Sequence, residues 1–158
     1  MLGRLLKKKN DIKGSREAFE KAAEIDSFSA VAHIQLSMIY EKEGRLDSAL
    51  EAVHKAIGIN DTNAFFYFQL GCILKKKTKF KESKAALEKS ISIDSSLAGP
   101  HFQLSLVSEL LGDIKTAITE AQAGLDIKSD NDYIKDRLKR LLTQNSLKNK
   151  VHPAQAYF

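Results

Sequence analysis

The side chains best suited to metal ligation or nucleophilic attack are few: His33, His54, His101 and His152, and one cysteine, Cys72. No two of the histidines stand three or four residues apart, the spacing that sets two imidazoles on one helix face, so they form no metal pattern. A reactive thiol needs neighbours that lower its pKa, and the residues around Cys72 identify none. A Gly-rich phosphate loop, a nucleophile elbow and a paired-carboxylate motif are all missing. The sequence therefore reads as non-enzymatic, with no cofactor. What it carries is recognition chemistry. Gln35, Gln69 and Gln103 recur at a spacing of 34 residues, and each amide offers two donors and an acceptor. Around them stand Val31, Ile34 and Met38, then Phe65, Phe68 and Cys72, then Phe102 and Leu106. A run of lysines, Lys75, Lys76, Lys77 and Lys79, is matched two periods earlier by Lys7, Lys8 and Lys9.

The elements that must position these groups follow from the same period. Leu2, Leu36, Leu70 and Leu104 share one register, and so do Ile25, Ile59, Ile93 and Ile127. A fixed period of about 34 residues is the signature of stacked helical hairpins. In 30–63, Val31, Ile34, Leu36, Met38, Ile39 and Tyr40 recur at helical spacing. Gly44 breaks the pattern, Asp47 is placed to cap a second helix, and Ala49, Leu50, Val53, Ala56 and Ile57 form a second apolar stripe. Ile59-Asn60-Asp61-Thr62-Asn63 closes the unit with turn formers. Ala22, Ala56, Ser90 and Gly124 hold one small-residue place, which lets paired helices approach closely. Leu36, Leu70 and Leu104 are expected to meet the second helix of the preceding unit.

The predicted organisation is a partial first unit at 1–29, units at 30–63, 64–97 and 98–131, a capping helix at 132–147 and a flexible tail at 148–158. The cap is drawn from the stripe Tyr133, Ile134, Leu138, Leu141 and Leu142. Because Met1 falls inside a repeat, a missing upstream segment is expected. Only 2 prolines and abundant helix formers favour an all-α chain. No apolar run reaches the roughly 20 residues of a membrane span, and the start has no signal-peptide core; a cytoplasmic location is expected. The formal charge of +5 is uneven: residues 1–16 and 128–150 are strongly basic, whereas 17–127 carry 12 basic and 16 acidic side chains.

Leu70-Gly71, Phe80, Leu87 and Ile93-Asp94 carry a resemblance, with Leu36-Ser37, Tyr40, Gly44, Ala49, Ala56 and Ile59, and Leu104, Gly112, Ala117 and Ile127 in parallel. These residues resemble the tetratricopeptide repeat over positions 1 to about 142. The resemblance implies a right-handed superhelix of stacked antiparallel hairpins whose first helices line a concave groove. It also implies a scaffold that holds a peptide or helix of another protein. His33, Tyr67 and His101 take the place of the aromatic that opens the first helix. The version that clamps chaperone C-terminal tails uses Lys, Asn and Arg in the groove; no such lysine or arginine stands here, which argues against a chaperone tail as partner.

On this reading the partner-binding residues are Val31, Ile34, Gln35, Met38, Phe65, Phe68, Gln69, Cys72, Phe102, Gln103 and Leu106. Apolar anchors and a glutamine ladder would grip a segment by its side chains and backbone. Three alternatives stay open: packing of these residues between repeats, self-assembly through Val151–Phe158, and a basic edge at Lys75, Lys76, Lys77 and Lys79 that attracts an acidic partner or nucleic acid.

Overall fold

The computed structural model describes residues 11–151. Among these the chain is all helix and turn: α1 Ile12–Ile25, α2 Ala30–Lys42, α3 Leu46–Ile59, α4 Ala64–Lys76, α5 Phe80–Ile93, α6 Ala98–Leu110, α7 Ile114–Ile127 and α8 Asp132–Val151. It is the all-α repeat fold that the periodicity predicts. The chain divides into two compact units, Met1–Ile93 and Asp94–Phe158, the first holding α1 to α5 and the second α6 to α8.

Each turn between hairpins is built by a short polar side chain. Asp26, Asn60 and Asp94 accept the backbone N–H two residues on, from Phe28, Thr62 and Ser96, at 2.9–3.1 Å. Such Asx turns halt one helix before the next begins. At Asp94 the Ser96 hydroxyl donates as well, at 2.7 Å, and the side-chain and backbone bonds together hold the carboxyl below its usual range. After the first two of these turns the next helix is capped by a side chain, Ser29 for α2 and Asn63 for α4; Leu97 before α6 makes no such bond, and Asn131 caps α8.

Inside each hairpin the first helix ends in a six-to-one bond: Arg45 N–H to Tyr40, Lys79 N–H to Leu74 and Asp113 N–H to Ser108, at 2.9–3.0 Å. This Schellman end needs a left-handed residue before the donor. Gly44 and Gly112 supply it at φ +75° and +79°, and Thr78 holds the same place at φ +59°. The tight end also corrects the expected cap. Helix α3 starts at Leu46 with Arg45 at its N-cap, and Asp47 lies in its first turn. There it favours the helix dipole and pairs with Lys77.

The core of the first unit joins successive hairpins. Leu36 and Ile39 cluster with Phe19 of α1 and Ala52. Leu70 and Phe66 of α4 cluster with Ile34, Ala49, Val53 and Ala56, so Leu36 and Leu70 do meet the preceding second helix. In the second unit Phe102, Ala121 and Leu125 pack with Ile134 and Leu138 of α8, and Leu141 closes over Ile114 and Ala117. The α8 stripe is narrower than expected: Tyr133 and Leu142 face solvent. The helix also runs on to Val151 rather than ending at 147; no glycine or proline interrupts 148–151. The rest of the expected tail lies outside the described residues.

Where paired helices cross, a buried serine hydroxyl donates to a main-chain carbonyl twelve residues away. In one hairpin Ser83 on the second helix donates to Gly71 at 2.7 Å. In the next, Ser105 on the first helix donates to Ala117 at 2.7 Å. Ser37 and Ala49 hold these two places in the hairpin before, and there the Ser37 hydroxyl is buried without a hydrogen-bond partner among the described residues.

Candidate interaction site

On α2 and α4 the expected site residues divide into two groups. Val31 is 62% exposed and Phe65, one period later, 38% exposed. Gln35, Met38, Phe68 and Cys72 are half-buried on the same helices. The Phe65 and Phe68 rings lie 6.0 Å apart, tilted by 47°, an arrangement that favours aromatic pairs. These six keep surface a ligand can touch.

Three expected contacts are not available. Ile34 is core, packed among Ala49, Val53 and Ala56. Gln69 is buried and donates its amide to Glu41 Oε2 at 2.5 Å, so the glutamine ladder is interrupted at its middle rung. In the second unit Phe102 is 9% exposed; its ring occupies the hollow left by Gly124, where a Cβ would come within 2.3 Å of it. Gln103 and Leu106 are half-buried on α6. The reason is common to Ile34 and Phe102: each faces a small residue of the second helix, Ala56 or Gly124, and fills the space it leaves.

The basic edge is largely neutralised. Lys76 pairs with Glu41 at 2.7 Å, Lys79 with Glu82 at 3.6 Å, and Lys77 with Asp47. Lys75 lies half-buried beside them. Lys7, Lys8 and Lys9 are outside the described residues. His33 and His101 fill the aromatic place and tie down the preceding turn: Nε2 of each lies 3.0–3.1 Å from the carbonyl oxygen of Ser27 or Ser95. His101 Nδ1 also sits 2.7 Å from Glu120.

Glu41 shapes the chemistry of this face. Burial, then the charge of Glu41, push the Cys72 thiol up to about 12, with Lys75 and Lys76 opposing. Thiolate is the reactive form. Cys72 in the folded chain should therefore react with a disulfide reagent at pH 8 slower than an exposed cysteine, by roughly two to three orders of magnitude, and at the ordinary rate in denaturant. A stopped-flow thiol assay with and without guanidinium checks this; equal rates would contradict it.

A cavity of about 660 Å³ is lined by α1, α2 and α3. Its floor is His33, Leu36, Tyr40 and Ala52, and its mouth is Phe28 and Ile59. Phe28 is 80% exposed. The signal was present in the sequence: Phe28 stands in a turn where the other units carry Thr62, Ser96 and Asp130.

Comparison with known proteins fits this architecture. Among the described residues no helix is long and apolar enough to cross a membrane. No curated protein sequence matches the chain. Among solved structures it is similar to MamA, at TM-score 0.84 and 21% identity, over 94% of this chain and 81% of that one. It is also similar to YrrB, described as a TPR protein with an unusual peptide-binding site, at TM-score 0.77 and 18% identity, over 91% and 74%. A third is the first TPR of Spaghetti (RPAP3) bound to an HSP90 peptide, at TM-score 0.73 and 15% identity, over 77% and 96%. These likenesses concern the fold. The model of the tetratricopeptide repeat matches residues 1–28, 30–63 and 66–97. With the period, the hairpins and the small-residue crossings all in its register, the chain belongs to the tetratricopeptide repeat family, whose members are generally non-enzymatic and commonly serve as protein–protein interaction scaffolds.

Proposed function

We propose that the chain is a protein-interaction scaffold that holds a mainly apolar partner segment, a peptide or one face of a helix, against α2 and α4. The observation that carries this reading is the exposure of Val31 and Phe65 at the same place in successive first helices. Met38 and the Phe68 ring stand beside them. Large apolar side chains that keep solvent exposure at matching positions give a binding strip. Gln35 borders the strip with an amide suited to a ligand backbone. The ion pairs at Lys76, Lys77 and Lys79 leave little free positive charge for a phosphate backbone or an acidic tail, which disfavours nucleic acid. No lysine or arginine stands among the exposed positions of the strip to clamp a chaperone carboxylate.

The test is selection of binders from a random peptide display library, followed by fluorescence anisotropy on the selected sequences. Selected peptides should share apolar residues, and a Val31→Ser/Phe65→Ser variant should bind them at least about tenfold more weakly, as expected for loss of one aromatic and one aliphatic anchor. Both positions are exposed, so the fold should survive, as circular dichroism will show. Unchanged affinity in the variant would sink the proposal.

A further inference from the structure

The cavity between α1 and α3 is separate from that strip. Its rim charges are mostly compensated within the chain. Glu51 pairs with Lys55 at 2.8 Å. Glu20 accepts from the Tyr40 hydroxyl at 2.8 Å and faces Arg16 at 3.5 Å. Arg45 lies over the Tyr40 ring at 4.5 Å. Glu24, on the rim beside Phe28, has no ion pair among the described residues. The mouth thus combines a solvent-facing phenylalanine, Ile59 and an uncompensated carboxylate. Such a site fits an apolar or aromatic segment next to a positive charge.

The chain itself carries a segment of that chemistry. Residues 152–158, His-Pro-Ala-Gln-Ala-Tyr-Phe, follow Lys148 and Lys150. Seven residues reach at most about 25 Å when extended, and a cavity of 660 Å³ lies within the roughly 300–1,000 Å³ of ordinary ligand pockets. The acidic balance of residues 17–127 against the basic 128–150 favours an end-to-body contact between copies. We propose that residues 152–158 of one copy dock in the α1–α3 cavity of a second copy. Tyr157 and Phe158 lie against Phe28 and Ile59, and the Lys148–Lys150 segment faces Glu24. The contact joins unlike surfaces, so it extends from copy to copy rather than closing by itself as a symmetric pair.

Sedimentation equilibrium of the full chain tests this beside a 1–151 truncation and the variants Phe28→Ser, Glu24→Lys, Lys150→Glu and Glu24→Lys/Lys150→Glu. A peptide of residues 148–158 is titrated into the truncated chain in parallel. The full chain should gain mass above 17.6 kDa as its concentration rises, and the truncation and Phe28→Ser should stay monomeric. The peptide should bind the truncated chain, at least tenfold more weakly when it carries Phe28→Ser, and the double charge reversal should recover association lost in the single reversals. Phe28 and Glu24 are exposed, so unfolding does not confuse the result. Association that survives truncation overturns the proposal, as does peptide binding indifferent to Phe28. A full chain that stays monomeric also overturns it, including the case in which peptide binds only the truncated chain because each copy's own tail fills the cavity.

Discussion

Phe102→Ala should destabilise the chain by about 3–5 kcal/mol, the cost of emptying a phenylalanine site in a packed core. The ring is almost fully buried and packs with Ala121, Leu125, Ile134 and Leu138, so its loss removes contacts that α6 makes with both α7 and α8. Gly124→Ala gives the complementary test. Alanine is worth about 1 kcal/mol more than glycine in a helix interior, but its Cβ would fall 2.3 Å from the Phe102 ring and 3.3 Å from His101. Overpacking costs roughly 1–3 kcal/mol, so a net loss is expected with Phe102 present. In the Phe102→Ala background the ring clash is gone and only the 3.3 Å approach to His101 remains, so Gly124→Ala should lose most of its cost there. Urea unfolding of the four proteins of this cycle measures the coupling. If Phe102→Ala unfolds at the wild-type midpoint and only loses a partner, Phe102 is a binding residue after all.

The second large effect lies at Thr78. A non-glycine residue held in the left-handed region costs about 1–3 kcal/mol, and a β-branched residue is poorly suited to it. Gly44 and Gly112 show what that turn requires. Thr78→Gly removes the strain but frees the unfolded chain, which returns about 0.4–1 kcal/mol. A net gain of about 1 kcal/mol is expected, seen as a higher urea midpoint with an unchanged slope. Gly112→Thr should shift the midpoint the other way. The Thr78 hydroxyl donates to the Lys77 carbonyl at 2.7 Å, an exposed bond whose loss is small beside the strain. A midpoint that falls in Thr78→Gly would show that this bond outweighs the strain.

The hairpins were legible because their determinants are local. Gly44 and Gly112, the Asx turns at Asp26, Asn60 and Asp94, and the apolar stripes each act within a few residues, and the period repeats them. The fate of individual side chains was less legible because it depends on the facing helix. Ile34, Phe68 and Phe102 share one register, and Ala56, Ser90 and Gly124 share the small-residue place opposite. Ile34 and Phe102 sink into the core beside Ala56 and Gly124. Ser90 turns its hydroxyl to the Ala64 carbonyl at 2.8 Å, and Phe68 keeps part of its surface. The fate of Gln69 is hidden for a similar reason: the period aligns it with Gln35 but does not reveal that Glu41, on the neighbouring first helix, takes its amide. The α1–α3 cavity is not legible from the recurring residues, because Phe28 at its mouth does not recur.

The serine contacts at the helix crossings bear on how such arrays can be copied. In one hairpin the hydroxyl comes from the second helix, in the next from the first, and the carbonyl is always supplied by the other. Each full hairpin carries serine at one place only: Ser37 stands with Ala49, Gly71 with Ser83 and Ser105 with Ala117. A hairpin with serine at both places would crowd two hydroxyls into one crossing, and one with serine at neither would lose the bond. The pair Gly71 with Ser83, or Ser105 with Ala117, is the heritable unit. Grafting one hairpin's first helix onto another's second helix exchanges half of that unit, and chimeras of this array should be cut between hairpins rather than within them.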